Sequence, residues 1–195
     1  LSSLYGADLT SSLSKLGESQ VLKISVSGLD DRYSLDDVSI AKELSELLCS
    51  VIFEPNVKDN AFIESELEQE RRQLLDVIDS EFNEKRIYAM EQLIKHMCKD
   101  EVFGTKRYGT AEKIKAATAE SLYRAWQNLL KTAKFEILYI GDSPADKAKE
   151  VFTKAFENIE RNVAASSTDV VKNVSKEKHI TEEMELSQSK LVMGF

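Results

Sequence analysis

Polar and apolar residues alternate near the start of the chain, which is the pattern of a half-buried β-strand. Two such runs lie on either side of Gly17. Their apolar positions are Leu9, Leu13, Leu22, Ile24 and Val26. Because a glycine readily adopts the backbone conformation of a tight turn, the pattern predicts two strands joined at Gly17.

The apolar spacing then changes to three and four residues, which predicts helices. The first predicted helix covers residues 34–52, with Ser34 as its N-cap and Pro55 beyond its end. Residues 61–99 contain neither proline nor glycine and keep the helical spacing. They predict one long helix, or two helices with a break near Asn83.

A helix, a strand and a further helix are predicted in the second half of the chain. Thr118 is the expected N-cap of the first of these helices, and Ser143 is the expected N-cap of the second. Between them, residues 134–142 (KFEILYIGD) are mostly apolar and predict a strand. Strands, helices, a strand and a helix in this order predict an α+β fold.

The composition changes after the last predicted helix. Residues 163–184 are polar and rich in serine, which is typical of a linker, and residues 185–195 have the pattern of a new strand. We therefore predict a domain over residues 1–162, followed by the linker and by the first strand of a further unit. The sequence begins without an initiator methionine, so we expect a piece of a longer protein.

The charge balance excludes some classes of partner. With 26 basic and 34 acidic residues the formal net charge is −8, whereas a nucleic-acid surface needs concentrated lysine and arginine. No apolar run approaches the roughly 18 residues that span a bilayer. Cys49 and Cys98 lie in different predicted helices and are not spaced as a metal site, which favours reduced thiols. We therefore expect a cytoplasmic protein that binds neither nucleic acid nor a membrane.

Carboxylate pairs on the acidic predicted helix are the first candidates for chemistry. Glu66 and Glu70 are one helical turn apart, and Asp76 and Asp79 are three residues apart. Each pair is close enough to share a metal ion or a proton. Scattered acids also produce such pairs on the solvated face of any charged helix, and we favour that interpretation.

The two histidines do not complete a metal site. Two histidines four residues apart meet on one face of a helix, but His96 and His179 are far apart in the sequence. Cys98 lies two residues from His96, on another side of the predicted helix, and next to acidic residues that disfavour a thiolate. The residues by themselves therefore predict no catalytic group, no metal site and no cofactor.

Four segments of the chain together resemble the insulinase/pitrilysin zinc peptidases, a family with an inverted zinc motif. FIESELEQERRQLLDVID is similar to the helix that carries the third zinc ligand. YGTAEKIKAATAESLYRAW resembles the family's segment LGT-x-E-x-I-K-x-x-T-x-x-x-L, and FEILYIGD resembles the strand that follows it. SLYGADLTSSLSK is similar to the glycine-containing strand beside the substrate cleft.

The resemblance implies a fold and a mechanism. The fold is a processing-peptidase-like half-unit of the α+β class, with a mixed, mainly antiparallel sheet packed by helices on one side. A complete member has two such halves, which makes this chain an internal fragment. In active members the motif His-x-x-Glu-His supplies two zinc ligands and a general base, and a glutamate on the acidic helix supplies the third ligand. That motif would precede Leu1.

Two positions of the sequence depart from the family pattern. The third-ligand glutamate falls on Val77, whose isopropyl group cannot bind zinc. The adjacent Asp76 points about 100° away around the helix, which makes it a poor substitute. In the cleft strand, Thr10 stands where active members usually have asparagine. We therefore assign no catalytic, cofactor-binding or metal-binding residue to this chain.

The departures match the non-catalytic branch of the family, in which an inactive subunit pairs with a zinc-bearing paralogue to process peptides. MEQLIKHMCKDEVFGTKRYG most resembles a bacterial cytoplasmic branch of peptidase-like proteins associated with aminopentanol modification of elongation factor P. Our first hypothesis is such a non-catalytic subunit, with the paralogue and peptides as its partners. Two alternatives stay open, namely an active zinc endopeptidase whose motif lies upstream of Leu1 and an interaction module without proteolysis.

Overall fold

The computed structural model describes residues 6–35, 38–165 and 176–195, which contain two β-hairpins and six α-helices. The strands are β1 (Asp8–Leu16), β2 (Ser19–Ser27), β3 (Val57–Lys58) and β4 (Ala61–Phe62). The helices are α1 (Ile40–Phe53), α2 (Glu64–Asn83), α3 (Lys85–Met97), α4 (Ala111–Ala116), α5 (Ala119–Thr132) and α6 (Asp146–Phe156). The predicted α+β class is therefore confirmed.

The first two strands form the predicted hairpin. They pair in antiparallel register over their whole length, with Leu9 opposite Val26 and Leu13 opposite Leu22. Gly17 lies in the turn with a φ of +58°, a conformation that is costly for residues with a Cβ atom. Because side chains alternate across a strand, the apolar positions of the sequence share one face of the hairpin.

The buried core joins this hairpin to α1. Ile40 is 1% exposed and forms a buried cluster with Ala7 and Leu44, and Val26 of β2 packs against this cluster. On its other side α1 packs against α6, where the rings of Phe53 and Phe156 meet edge to face with 5.1 Å between centroids. The hairpin and two helices therefore share one packed unit.

The first helix begins later than predicted. The N-cap of α1 is Ser39 and not Ser34, and its hydroxyl accepts a hydrogen bond of 3.3 Å from an amide of the first turn. The Asp31 carboxylate explains the shift, because it accepts hydrogen bonds from the Ser39 hydroxyl (2.8 Å) and the Ala41 amide (2.9 Å). A side chain outside the helix thus fixes where the helix starts.

The last helix also begins later than predicted. The Ser143 hydroxyl does not cap α6, because it donates a hydrogen bond of 3.0 Å to the Asp30 carboxylate. The proline at position 144 disfavours helical backbone angles for the residue before it. Ala145 is therefore the N-cap residue, and its side chain makes no capping hydrogen bond.

The long helical region consists of two helices, so the second of the two alternatives, a break near Asn83, is the one that the structure has. Asn83 ends α2 and Lys85 begins α3. Glu84 between them has extended backbone angles, and its carboxylate accepts a hydrogen bond of 3.1 Å from the Arg86 amide as the N-cap of α3. Thr118 is confirmed as the N-cap of α5.

The predicted strand over residues 134–142 is not formed. In the described part of the chain β1 pairs with β2 and β3 with β4, and no backbone–backbone hydrogen bond involves residues 134–141. Phe135 packs edge to face on Phe156 with 5.0 Å between ring centroids. A strand needs a neighbour that takes up its backbone hydrogen bonds, and none of the described strands lies alongside. The sheets are therefore two separate antiparallel ladders, and the expected mixed sheet is absent from the described residues.

The end of the chain adds no helix or strand within residues 176–195, so the strand predicted over residues 185–195 is not formed there. Residues 166–175 of the predicted linker lie outside the described residues. The division into a domain over residues 1–162 and a further unit stays a prediction. Among the described helices, none combines the length and the apolarity needed to cross a membrane.

Candidate functional site

The middle of α2 carries the position that the resemblance assigns to the third zinc ligand. Val77 is 40% exposed there, and its isopropyl group has no lone pair to offer a metal. Its carbonyl accepts a hydrogen bond of 2.7 Å from the Ser80 hydroxyl within the same helix. Asp76 is exposed and projects about 100° away around the helix axis. At this position α2 therefore presents a hydrocarbon surface to solvent.

The acidic pairs of α2 lie on its solvated side. Glu66, Glu70, Asp76 and Asp79 are all exposed. Glu66 accepts a hydrogen bond of 3.0 Å from the Asn56 amide group, which ties the first turn of α2 to the preceding loop. The described residues contain no group of three or more histidine, cysteine, aspartate and glutamate side chains that could hold a metal ion. These carboxylates are thus arranged as surface charges.

The histidines and cysteines are dispersed over the molecule. His96 is half-buried on α3, while His179 is exposed, with its Nε2 atom 2.8 Å from the carboxylate of a neighbouring glutamate. Cys49 is buried in α1, and burial raises the pKa of its thiol. Burial also raises the pKa of the Cys98 thiol at the end of α3, and a neighbouring glutamate adds to the effect. Both thiols therefore favour the protonated form, which is a poor nucleophile.

One face of the hairpin carries hydroxyl groups. Thr10 lies on this face opposite Ser25, in line with Ser12 and Ser14 of β1. Within the described residues β1 pairs only with β2, so its outer edge presents backbone N–H and C=O groups. An extended peptide can add to such an edge as a further strand.

The tip of the hairpin is held by residues 102–109, which we call the clasp loop. The Lys15 ammonium group donates hydrogen bonds to three carbonyls of this loop, among them that of Phe103 at 2.5 Å. The Gln20 amide group donates a hydrogen bond of 2.7 Å to the carbonyl of Arg107. The two ends of the turn therefore contact backbone groups of one loop.

A glycine allows the clasp loop to approach the end of α3. At Gly104, a Cβ atom would lie 2.1 Å from the carbonyl oxygen of Cys98. That distance is far inside van der Waals contact, so a side chain at this position requires the backbone to move. The loop is thus fixed on α3 as well as on the hairpin.

A cluster of charges that the sequence did not predict joins α2, α3 and the clasp loop. Glu81 of α2 and Glu91 of α3 line a cavity of about 10 Å³ together with Lys106 and Arg107 of the loop. Lys106 Nζ lies 3.3 Å from Glu91 Oε2. Burial and then the Glu91 carboxylate raise the pKa of Glu81. Ten or more residues of sequence separate Glu81 from Glu91, Lys106 and Arg107, so no local motif indicates the cluster. The one signal in the sequence is the position of Glu81, one helical turn after Val77.

The comparisons with known proteins agree with this fold. No protein-family model matches the chain. It is 25% identical over 195 residues to "Probable inactive metalloprotease YmfF" of Bacillus subtilis (strain 168), covering all of this chain and 46% of that protein. A crystal structure of a conserved protein from Enterococcus faecalis V583 matches with a TM-score of 0.80 and 24% identity, over 89% of this chain and 41% of that one. The chain spans less than half the length of either protein, and it is a distant homologue of a probable inactive metalloprotease.

Proposed function

We propose that the chain belongs to a non-catalytic, peptidase-like subunit that acts together with a zinc-bearing paralogue in the processing of peptides. The observation that carries the proposal is Val77 on α2. Where the resemblance expects a zinc-binding glutamate, the side chain ends in two methyl groups. Zinc in proteins takes nitrogen, sulfur or oxygen ligands, so this position of α2 cannot contribute to a zinc site.

One bacterial relative supports the same conclusion. The Bacillus subtilis protein is described as probably inactive, and its similarity runs through the whole of this chain, including α2. A chain that has the acidic helix of a zinc peptidase but no glutamate at the ligand position has kept the fold and lost a group that catalysis needs. We therefore infer a role that depends on the scaffold.

The outer edge of β1 gives such a scaffold a way to contact peptides. The edge offers backbone hydrogen bonds, which any extended peptide can make, and the nearby face carries Thr10, Ser12 and Ser14. Selection among side chains then falls to other surfaces or to the partner.

The deciding experiment uses the complete polypeptide to which this chain belongs. We expect the purified protein to bind no stoichiometric zinc and to cleave no peptide by itself. Added to a zinc-bearing paralogue from the same cell, it raises the rate of peptide cleavage above that of the paralogue alone, and a chelator abolishes the activity. The matched variants are Val77→Ala, which leaves the result unchanged, and Val77→Glu, which tests whether a ligand at this position creates zinc binding.

Other outcomes point to the alternatives. One tightly held zinc ion per chain, lost in an Asp76→Ala variant, indicates an active endopeptidase whose motif lies upstream of Leu1. A stable complex that leaves peptide cleavage by the paralogue unchanged indicates an interaction module. Either result overturns the proposal.

The resemblance to one bacterial branch refines the proposal. On this resemblance we propose a cytoplasmic protein, related to the peptidase-like proteins associated with aminopentanol modification of elongation factor P. A zinc-bearing paralogue encoded in the same bacterium is the partner to test first. Absence of any complex with that paralogue would remove this refinement while leaving the other zinc peptidases of the cell as candidates.

A further inference from the structure

One side of residues 134–141 is fixed to the rest of the molecule. Phe135 packs edge to face on Phe156 of α6, with 5.0 Å between the ring centroids. The Tyr139 hydroxyl donates a hydrogen bond of 3.0 Å to the carbonyl of Ser143. The segment is thus held near both of its ends, although it belongs to no helix or strand of the described residues.

The opposite side of the same segment presents apolar side chains to solvent. Leu138 and Ile140 are each more than four-fifths exposed. Earlier in the segment, Lys134 Nζ lies 2.6 Å from Glu136 Oε1. Side chains two residues apart share one side of an extended backbone. The segment therefore has the side-chain arrangement of a β-strand, with charges at its start and hydrocarbon at its end.

The backbone of the segment is unpaired as well. Within the part of the chain that the structure describes, no hydrogen bond uses an N–H or C=O group of residues 134–141. Proteins pair nearly all of the main-chain groups that are removed from water, and an unpaired strand edge is a template for a further strand. Residues 134–141 thus offer a row of hydrogen-bonding groups beside exposed apolar side chains.

We propose that this segment pairs with a β-strand from the part of the complete polypeptide that lies outside these 195 residues. The lengths of the similar proteins support this choice of partner. The chain matches the Bacillus subtilis protein throughout and covers only 46% of it, and it covers 41% of the Enterococcus faecalis chain. Each of those proteins therefore has more polypeptide outside the match than within it. A partner on the same polypeptide also pairs without the loss of translational freedom that a separate molecule incurs.

A second copy of the chain fits the segment less well. Two copies of one strand related by a two-fold axis pair in antiparallel fashion. The three central registers that keep the exposed side chains on one face place Glu136 opposite Leu138, Ile140 or Asp142 of the other copy. The first two registers set a carboxylate beside hydrocarbon, and the third opposes two negative charges. A strand with apolar residues opposite Leu138 and Ile140 and a polar or basic residue opposite Glu136 avoids both conflicts.

Amide hydrogen exchange of the complete polypeptide, followed by NMR, tests the proposal. We expect amides of residues 134–141 to exchange at least about a hundredfold more slowly than in an unstructured peptide, at every protein concentration. The N–H groups of a strand point alternately to its two edges. Protection of every second amide therefore indicates one neighbouring strand, and protection of all of them indicates two. Exchange at the rate of an unstructured peptide overturns the proposal, as does protection that is lost on dilution, which indicates a second copy.

A pair of matched variants of the complete polypeptide sharpens the test. Leu138→Ala and Leu16→Ala make the same change, and Leu16 is 67% exposed at the end of β1, which already has its partner strand. We expect Leu138→Ala to speed exchange of residues 134–141 at least about tenfold, because it removes contacts with the added strand, while Leu16→Ala leaves that exchange unchanged. Equal effects of the two variants contradict the proposal. Neither readout depends on zinc or on peptide cleavage, so this inference and the proposed function stand or fall separately.

Discussion

The β1–β2 hairpin and residues 134–141 both have sequences that predict strands, but only the hairpin forms them. In the hairpin, each residue from Asp8 to Leu16 has a partner across the turn. In residues 134–141, Leu138 and Ile140 are 84% and 86% exposed, more than any side chain in the hairpin's apolar face. Side chains that favour β-strands therefore do not produce a strand unless a neighbouring strand pairs with them.

The distance to the partner along the chain explains the difference. In the hairpin the second strand follows directly after the turn at Gly17, so little conformational entropy is lost in closing the loop. Residues 134–141 need a strand from a distant part of the polypeptide, and the described residues do not provide one. One side of this segment still contributes to packing, because Phe135 packs on Phe156.

The largest effect on the hairpin is expected from Gly104→Ala in the clasp loop. The new Cβ atom would lie 2.1 Å from the Cys98 carbonyl oxygen, so the loop must move away from α3 and from Lys15. We expect a loss of about 3 kcal/mol in the free energy of unfolding, measured with urea. Gly17→Ala is the control, since no atom lies within 4 Å of its added Cβ and only the backbone conformation is strained, at about 1 kcal/mol. Equal losses in the two variants would contradict the close contact.

Truncation of a half-buried side chain of the hairpin comes next. Val26→Ala removes two methyl groups from the contact with the cluster of Ala7, Ile40 and Leu44 and is expected to cost about 1.5 kcal/mol in urea unfolding. If the hairpin were held mainly by its own backbone hydrogen bonds, the change would cost far less. A loss below that of an exposed valine, such as Val77→Ala on α2, would show this.

A smaller effect is expected from Lys15→Met at the hairpin tip. The methionine keeps most of the hydrocarbon chain but loses the hydrogen bonds to the clasp loop, at a cost of about 1 kcal/mol because the site is partly solvated. Lys23→Met on the opposite face of the hairpin removes the same charge and serves as the matched control. Urea unfolding that gives equal values for both variants would mean that the clasp contributes no stability.

The smallest effect is expected from Ile140→Ala in the region that forms no strand. With its side chain 86% exposed, the change is expected to alter the free energy of unfolding of this 195-residue chain by less than about 0.5 kcal/mol. A loss as large as that of Val26→Ala would mean that residues 134–141 are paired in solution, with another part of the polypeptide or with a second molecule. Sedimentation at several protein concentrations distinguishes these two cases.

The hairpin and the helices could be predicted from the sequence because their partners are local. The turn at Gly17 and the capping of α5 by Thr118 depend on residues within a few positions. The structure starts α1 and α6 later than the sequence predicts, because Asp31 binds the Ser39 hydroxyl from eight residues away and Asp30 binds the Ser143 hydroxyl from 113 residues away. Contacts of this kind leave no periodic signal in a sequence.

The candidate site also has one part that the sequence indicates and one part that it does not. The assignment of Val77 to the third-ligand position depends on the resemblance alone and stays a prediction. The charge cluster of Glu81, Glu91 and Lys106 could not be predicted, because three elements bring it together and no motif spaces its members. The sequence shows that these charged side chains are present, but it does not show that they lie close together.

Arg161 completes the C-terminal end of α5 from a later part of the chain. Its guanidinium group donates hydrogen bonds to the carbonyls of Leu130 and Ala133, and it lies over the rings of Phe135 and Phe156 at 4.6 and 5.5 Å. These two carbonyls precede Arg161 by 31 and 28 residues. Arg161 is therefore translated after the whole of α5, and these two hydrogen bonds form only once the later residue has folded back on the helix.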